Sequence, residues 1–484
     1  MLNIGNRREC FFDSYLIDEE KTTAERRIHA PQRRETVLVH DAPWEGNGCN
    51  YYNMFYDNGI WRMYYLAWKM LSENDGIRVA YAESTDGIHW IKPNLGICEY
   101  KGSKENNLIL DPSMHVGLNG QIDNFMVFRD DNPACPPERR YKATAYANIP
   151  TDGKVRWDTL QYYFSADGIH FTYGGQITDR GAFDTLNVAF WDETRQKYYC
   201  YYRAFHKPGS TEITDELTED NIRDIRVISS DDFETWSEPQ LIDFGEAGDV
   251  PLYTNVVQPY YRAPHIYVGF PTRYIYRRTW GDSFEQLCGK EKRRERMKYH
   301  ERFGQTITDC VFISSRDTVN FHMDEEAFMR PQPEQPNNWL YGDCYPARCI
   351  METPSDVPGA DPELSMFVGA NHWMDGPAYL DRYTIRCDGF VSLHAGAKEK
   401  VIFTKPFVYD GEGLYINMET SACGYLYFAL IDEDGNRVES GEVFGNKIDR
   451  FVPFPDDTVH AWAGKPVTME VRMKDADLYA IQFQ

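Results

Sequence analysis

YAESTDGIHW (residues 81–90) returns, shortened, as FSADGIHF (residues 164–171). Both copies carry Ser, one residue, Asp-Gly-Ile-His and an aromatic: Ser84, Asp86, Gly87, Ile88, His89 and Trp90, then Ser165, Asp167, Gly168, Ile169, His170 and Phe171. A relaxed form, Ser-x-Asp with an aromatic four residues on, recurs in SSDDFETW (Ser230, Asp232, Trp236) and in SSRDTVNF (Ser315, Asp317, Phe321). RCDGFVSL around Asp388 keeps only the Asp-Gly turn. The Asp positions step by 81, 65, 85 and 71 residues. Such uneven steps describe one recurring unit with variable insertions rather than a solenoid.

Each turn follows strand-like runs that are short, β-branched or aromatic, and bounded by Gly, Pro, Asn or Asp. YYNMFYDNG, IWRMYYLAW and IRVAYAES precede the first turn. NVAFWDE, KYYCYYRAF and IRVISS precede the third. A further segment follows each of the first four turns. Three strands, a turn and a fourth strand make an antiparallel blade, and five such blades arranged radially make a β-propeller. The expected fold is therefore all-β, with a five-bladed propeller over residues 1–397. Residues 398–484, with alternating runs such as GLYINMET and GYLYFALIDEDGN, are expected to form a β-sandwich. The turn motif is then scaffold, its Gly supplying a positive-φ turn position. Two insertions break the rhythm. Residues 211–224 read as an acidic helix and residues 283–304 as a charged helix with a basic centre.

Composition narrows the function. The net charge of −24 argues against nucleic acid and against an anionic membrane surface. MLNIGNRREC lacks the apolar stretch of a secretory leader, and no run approaches the roughly 18 apolar residues of a spanning helix. Eleven scattered Cys suit reduced thiols, so a cytoplasmic location is expected. No zinc signature, phosphate loop, dinucleotide motif or nucleophile elbow is present; no metal or cofactor is called for. Whether the chain forms a homo-oligomer stays open. Aromatics at 15%, including 33 Tyr and 11 Trp, suit strands and also stack on sugar faces.

In a propeller the innermost strand of every blade starts near the axis. The residues opening those strands are Trp44, Glu45 and Asn50 in unit one, Asp123 in unit two and Asp184 in unit three. Unit four offers Tyr253 and Asn255 beside Asp249, and unit five offers Asp343. Carboxylates at matching positions around an aromatic pocket suit glycosidic bond cleavage, in which one acid gives a proton and another acts ionised. Arg203, His206, Arg273 and His372 are candidate substrate-binding residues, Arg273 as a bidentate anion ligand.

Five units with ESTDGIHW-type turns, followed by a second β-domain, resemble glycoside hydrolase family 32 and its five-bladed relatives in families 43, 68 and 130. The resemblance implies a glycosidase on a small carbohydrate. It places Asn50 where the family has its nucleophile Asp, Asp123 at the stabilising Asp and Asp184 at the acid/base Glu. With the first carboxylate replaced, Glu45 or Asp343 is the expected nucleophile or base, and Asp184 the general acid. The expected reaction is hydrolysis of a small or terminal glycoside, furanosides included. The alternatives are a phosphorylase of the family 130 kind, with Arg203 and Arg273 on phosphate, and a non-catalytic carbohydrate-binding propeller.

Overall fold

The computed structural model describes the chain apart from residues 71–75, 115–121, 152–153 and 217, and gives only backbone for the rest of 148–158. Among the described residues the strands form five propeller blades and one further sheet. Blade one runs Asn50–Asp57, Ile60–Ala67, Arg78–Ser84 and Leu108–Leu110, each antiparallel to the next. Blade two is Asp123–Arg129, Tyr141–Thr151, Lys154–Ser165 and Thr172–Thr178; blade three is Val188–Asp192, Lys197–His206, Ile222–Ser230 and Gln240–Leu241. In blade four the second strand is broken at Phe270-Pro271 into Ala263–Gly269 and Thr272–Tyr276, both paired with Thr306–Ser315. Proline has no N–H to give the ladder, which accounts for the break.

The recurring turn behaves as a scaffold unit. Ser84 Oγ accepts the Gly87 N–H (2.9 Å), and Asp86 Oδ1 accepts the Ile88 and His89 N–H groups (2.8 Å each). The same bonds recur at Ser165/Asp167, Ser230/Asp232 and Ser315/Asp317. The position after Asp takes positive φ in all four: Gly87 (+76°), Gly168 (+78°), Phe233 (+67°) and Thr318 (+96°). Each turn also reaches a neighbouring blade. Arg62 and Tyr64 of blade one donate to the carbonyls of Asp167 and Gly168, and Phe233 packs on Phe128, Tyr162 and Tyr198.

Blade five closes the ring differently. Its strands Tyr345–Pro346, Met351–Thr353, Glu363–Ala370 and Tyr379–Arg386 take their outer partner from the N-terminal region, Gln32–Val39. The segment after Asp388 therefore does not return to the blade. Val391–Ala395 leaves to pair with Glu25–Ile28 and with Val467–Phe483. The further sheet has ten strands built around the long pair Leu414–Asp432 and Val467–Phe483. Leu2–Gly5, Glu9–Cys10 and Glu25–Ile28 belong to it, so the expected division at 397/398 does not follow the hydrogen bonding. A chain read in order assigns its start to the first unit; non-local pairing assigns it to the last. Buried Ile402, Phe407, Leu414, Met418, Phe428, Val471 and Ile481 are part of this sheet's core.

The insertions differ from each other. Around residue 217 the 211–224 segment forms turns and then enters the strand at Ile222, and no helix is formed there among the described residues. Its Thr and Asn side chains bond locally instead: Thr214 Oγ1 accepts the Glu216 N–H, and Thr218 donates to Asn221. Residues 283–304 are helical as expected, in three pieces: Asp282–Gln286, Lys290–Met297 and Arg302–Gln305. Their basic centre is divided: Arg293 and Arg296 are buried, while Arg294 is exposed. Among the described residues no helix is long and apolar enough to cross a membrane.

Candidate active site

All five blades contribute to one cavity of about 400 Å³. Asn50, Tyr51, Trp68 and Met70 come from blade one, Asp123 and Tyr146 from blade two, and Ala182, Asp184, Arg203, Phe205 and Arg223 from blade three. Tyr253, Tyr274, Arg302 and Phe303 come from blade four, with Tyr341, His372 and Trp373 from blade five. Only a point on the propeller axis is shared in this way, so the cavity is axial. Its aromatic wall is a stacked cluster in which Tyr253 lies 5.6 Å from Tyr274 and 5.5 Å from Tyr345, centroid to centroid. Tyr341 donates its hydroxyl to Tyr253 Oη at 2.9 Å.

The starts of the inner strands are distorted. Tyr51, Asn124, Val256 and Cys344 all have positive φ between +47° and +55°. Non-glycine residues seldom take this region. Each sits beside one of the residues singled out above, Asn50, Asp123, Asn255 and Asp343. Backbone strain of this kind persists only where the surroundings enforce it.

Asp123 and Asp184 are brought together. Burial, with the charge of Asp184 as a second cause, raises the Asp123 carboxyl to about 8. Asp184 is more open, its side chain 58% exposed, and Arg203 Nη2 stands 4.0 Å from its Oδ2. Arg203 is anchored by donating Nε to the Ala182 carbonyl (2.9 Å) and lies over the Tyr253 ring at 4.8 Å. Burial first, and then the Arg296 cation, lowers His372 to about 3, so the imidazole is neutral. Asn50 Oδ1, Trp68 Nε1 and Trp373 Nε1 are buried without a hydrogen-bond partner among the described residues. Buried unsatisfied groups are rare, and a polyhydroxylated ligand would supply what these lack.

Of the expected site residues, Asn50, Asp123, Asp184, Arg203, Tyr253 and His372 line the cavity; the others do not. Glu45 is 1% exposed, inside a closed network: it accepts from Tyr65 Oη (2.6 Å), the Ala42 N–H (3.0 Å) and Lys92 Nζ (2.7 Å), with His40 Nδ1 at 3.4 Å. Burial pushes its carboxyl up, but the His40 bond and the His40 and Lys92 charges prevail and hold it at about 2. A carboxylate so fully occupied is scaffold. Trp44 donates Nε1 to Asn107 (2.8 Å) in the same network. Asp343 turns back on its own loop, where Oδ2 accepts the Leu340 N–H (2.8 Å), and it lines a separate pocket with Arg33 and Asp381. Asn255 staples two blades, donating to the Leu186 and Tyr201 carbonyls. His206 is clamped between Asp224 (2.7 Å) and Asp249 (3.2 Å) beside another pocket. Arg273 is held bidentately by Asp309 at 2.7 and 2.6 Å, an ion pair within its blade.

Several lining residues escaped the sequence reading: Tyr51, Trp68, Arg223, Arg302, Tyr341 and Trp373. Arg223 sits in NIRDIRV, which reads simply as a strand start, and Arg302 lies in the insertion. No local signal distinguishes either from a surface arginine.

No family model matches the chain, and no curated protein does. Among solved structures it is similar to a BT0996–RGII complex (11% identity, TM-score 0.46, covering 74% of this chain and 93% of that one). It is also similar to an N-acetylgalactosamine deacetylase from F. plautii in complex with blood group B trisaccharide (11%, 0.44, 75% and 96%). A third is a Bombyx mori GH32 beta-fructofuranosidase (10%, 0.39, 94% and 94%).

Proposed function

We propose that this chain is a glycoside hydrolase acting in the axial cavity, with Asp123 as the proton donor and Asp184 as the ionised partner. The observation that carries the reading is two carboxylates lining one aromatic cavity, the half-buried one held protonated to about 8 and the open one facing Arg203. A glycosidase needs one carboxyl protonated to release the leaving oxygen and one ionised to act as nucleophile, as base for water, or as stabiliser of the oxocarbenium-like charge. Unequal burial of two neighbouring acids divides those roles. Here it gives the donor role to Asp123, the reverse of the assignment the resemblance implies, in which Asp184 is the general acid. The aromatic wall provides faces for sugar rings, and Asn50 Oδ1 an acceptor for a hydroxyl.

A panel of aryl glycosides turned over by wild type, Asp123→Asn and Asp184→Asn tests this. Each substitution is expected to lower kcat/KM by about 10²–10⁴-fold. Rates in Asp123→Asn equal to wild type would remove Asp123 from the reaction. The second reading, a propeller that binds carbohydrate without cleaving it, is favoured by Asn50 standing where the resemblance puts a nucleophile. Sugar binding by calorimetry with no turnover over days would establish it instead.

A further inference from the structure

Among the described residues, two cavity arginines have no carboxylate to answer them. Several guanidinium groups of this protein are paired with carboxylates, Arg8 and Arg262 with Asp388, Arg226 with Asp224, Arg316 with Glu9 and Asp13, and Arg273 with Asp309, whereas Arg293 and Arg296, buried in the helical insertion, form no ion pair among the described residues. Neither Arg223 nor Arg302 forms an ion pair among the described residues, and each has a buried Nε without a hydrogen-bond partner. Both line the axial cavity beside Arg203.

The Arg223 guanidinium lies 4.0 Å from the Tyr274 ring centroid and 5.2 Å from that of Phe205. A guanidinium stacked face-on leaves the N–H groups along its edge available to a ligand. Burial first, and then the nearby cations of Arg203 and Arg302, lowers the Arg223 pKa. Three like charges on one wall repel one another, and a buried cation lacking its counter-ion is costly to keep. Asp184 stands beside Arg203, at 4.0 Å, and forms no ion pair with Arg223 or Arg302 among the described residues. Asp123 is protonated near neutral pH, and Asp220, in the adjoining pocket that Arg223 and Arg302 also line, is taken by Arg278 at 2.8 Å. In a chain of net charge −24, this wall of the cavity is cationic.

We propose that the cavity receives a glycoside whose sugar carries an oxoanion, a hexuronic acid carboxylate above all, held by Arg223 and Arg302 while Asp123 and Asp184 face the glycosidic bond. This rests on the hydrolase reading and narrows its substrate class. A planar carboxylate fits the guanidinium fork bidentately, which a hydroxyl cannot do. Inorganic phosphate shares the oxoanion chemistry but would arrive as a separate reactant, so the test separates the two sources.

The measurement is calorimetric binding of galacturonic and glucuronic acid, of galactose and glucose, and of sodium phosphate, at fixed salt. The uronates are expected to bind wild type about tenfold or more tighter than their neutral parents, and Arg223→Gln to erase most of that gap. Arg302→Gln is expected to do the same, and because Arg302 sits on the helical insertion outside the blades it serves if Arg223→Gln does not fold. Equal binding of uronates and neutral sugars by wild type overturns the proposal. So does phosphate binding that depends on these arginines while uronates gain nothing. Binding is read without turnover, so Asp123→Asn is expected to keep the uronate preference while losing catalysis. A preference with no turnover in wild type would sink the hydrolase reading and leave the anion site standing.

Discussion

Asp123 links chemistry to stability at the level of one side chain. Its folded pKa of about 8 lies above the usual carboxylate value of 3.8, so between those pH values the native state binds a proton that the unfolded chain has lost. Stability from this group is therefore full below the lower value and declines as pH rises towards about 8. Asp343, raised by burial to about 7, acts in the same direction. Glu45 and Glu9, both held at about 2, act in the opposite one: their contribution is present above 4.5 and is lost as pH falls towards 2. Asp123→Asn removes a group that the fold holds neutral. It is expected to raise Tm more at pH 8 than at pH 5, which scanning calorimetry at both pH values would show. An equal change at the two pH values would mean that Asp123 is already ionised in the native state at pH 5. Catalysis is expected to fall on the alkaline side as Asp123 loses its proton near pH 8, a limb visible in the pH profile of kcat/KM.

At the scale of elements, the recurring turn is the unit that joins blade to blade. Gly168 has φ +78°, and a Cβ there would meet Arg62 Nη1 at 2.8 Å and Tyr64 Oη at 2.9 Å, the two groups that bind this turn from blade one. Gly168→Ala is expected to cost about 1–3 kcal/mol, read from urea midpoints at constant m. Asp86→Ala removes an acceptor of two backbone N–H groups and is expected to cost about 1–2 kcal/mol. The helical insertion has a different task. Arg302 and Phe303 bring it to the cavity wall, so replacing residues 281–305 with a short linker is expected to raise KM while the blades still melt as a unit. An unchanged KM would detach the insertion from substrate binding.

Over the whole molecule, the ring and the ten-stranded sheet are tied by one buried acid. Asp388 is fully buried and accepts from Arg8 (2.9 Å), Tyr260 Oη (2.8 Å), Arg262 Nε (2.9 Å) and Asn417 Nδ2 (2.9 Å). Those partners come from the N-terminal region, blade four and the C-terminal sheet. Removing one side of a buried charge network leaves uncompensated charge, so Asp388→Ala is expected to cost about 3–5 kcal/mol in denaturant unfolding. A loss below about 1 kcal/mol would show that the two parts hold together without it.

What could be read from the sequence was what is local. Ser-x-Asp-Gly turns, alternating aromatic strands and an Asp before an inner strand are each specified within about ten residues, and they yielded the five blades and two carboxylates, Asp123 and Asp184, that line the axial cavity. The rest depends on where strands distant in sequence meet. Nothing near Gln32–Val39 says that it completes blade five, and nothing near Glu45 or Asp343 says that their side chains turn to His40, Lys92 or Leu340 rather than to the axis. Arg223 and Arg302 are 79 residues apart, and only the packing of blade four and its insertion sets them on one wall. A strand's pattern states which faces are apolar, but the direction a polar side chain finally takes is decided by register and by the partners that non-local pairing brings within reach.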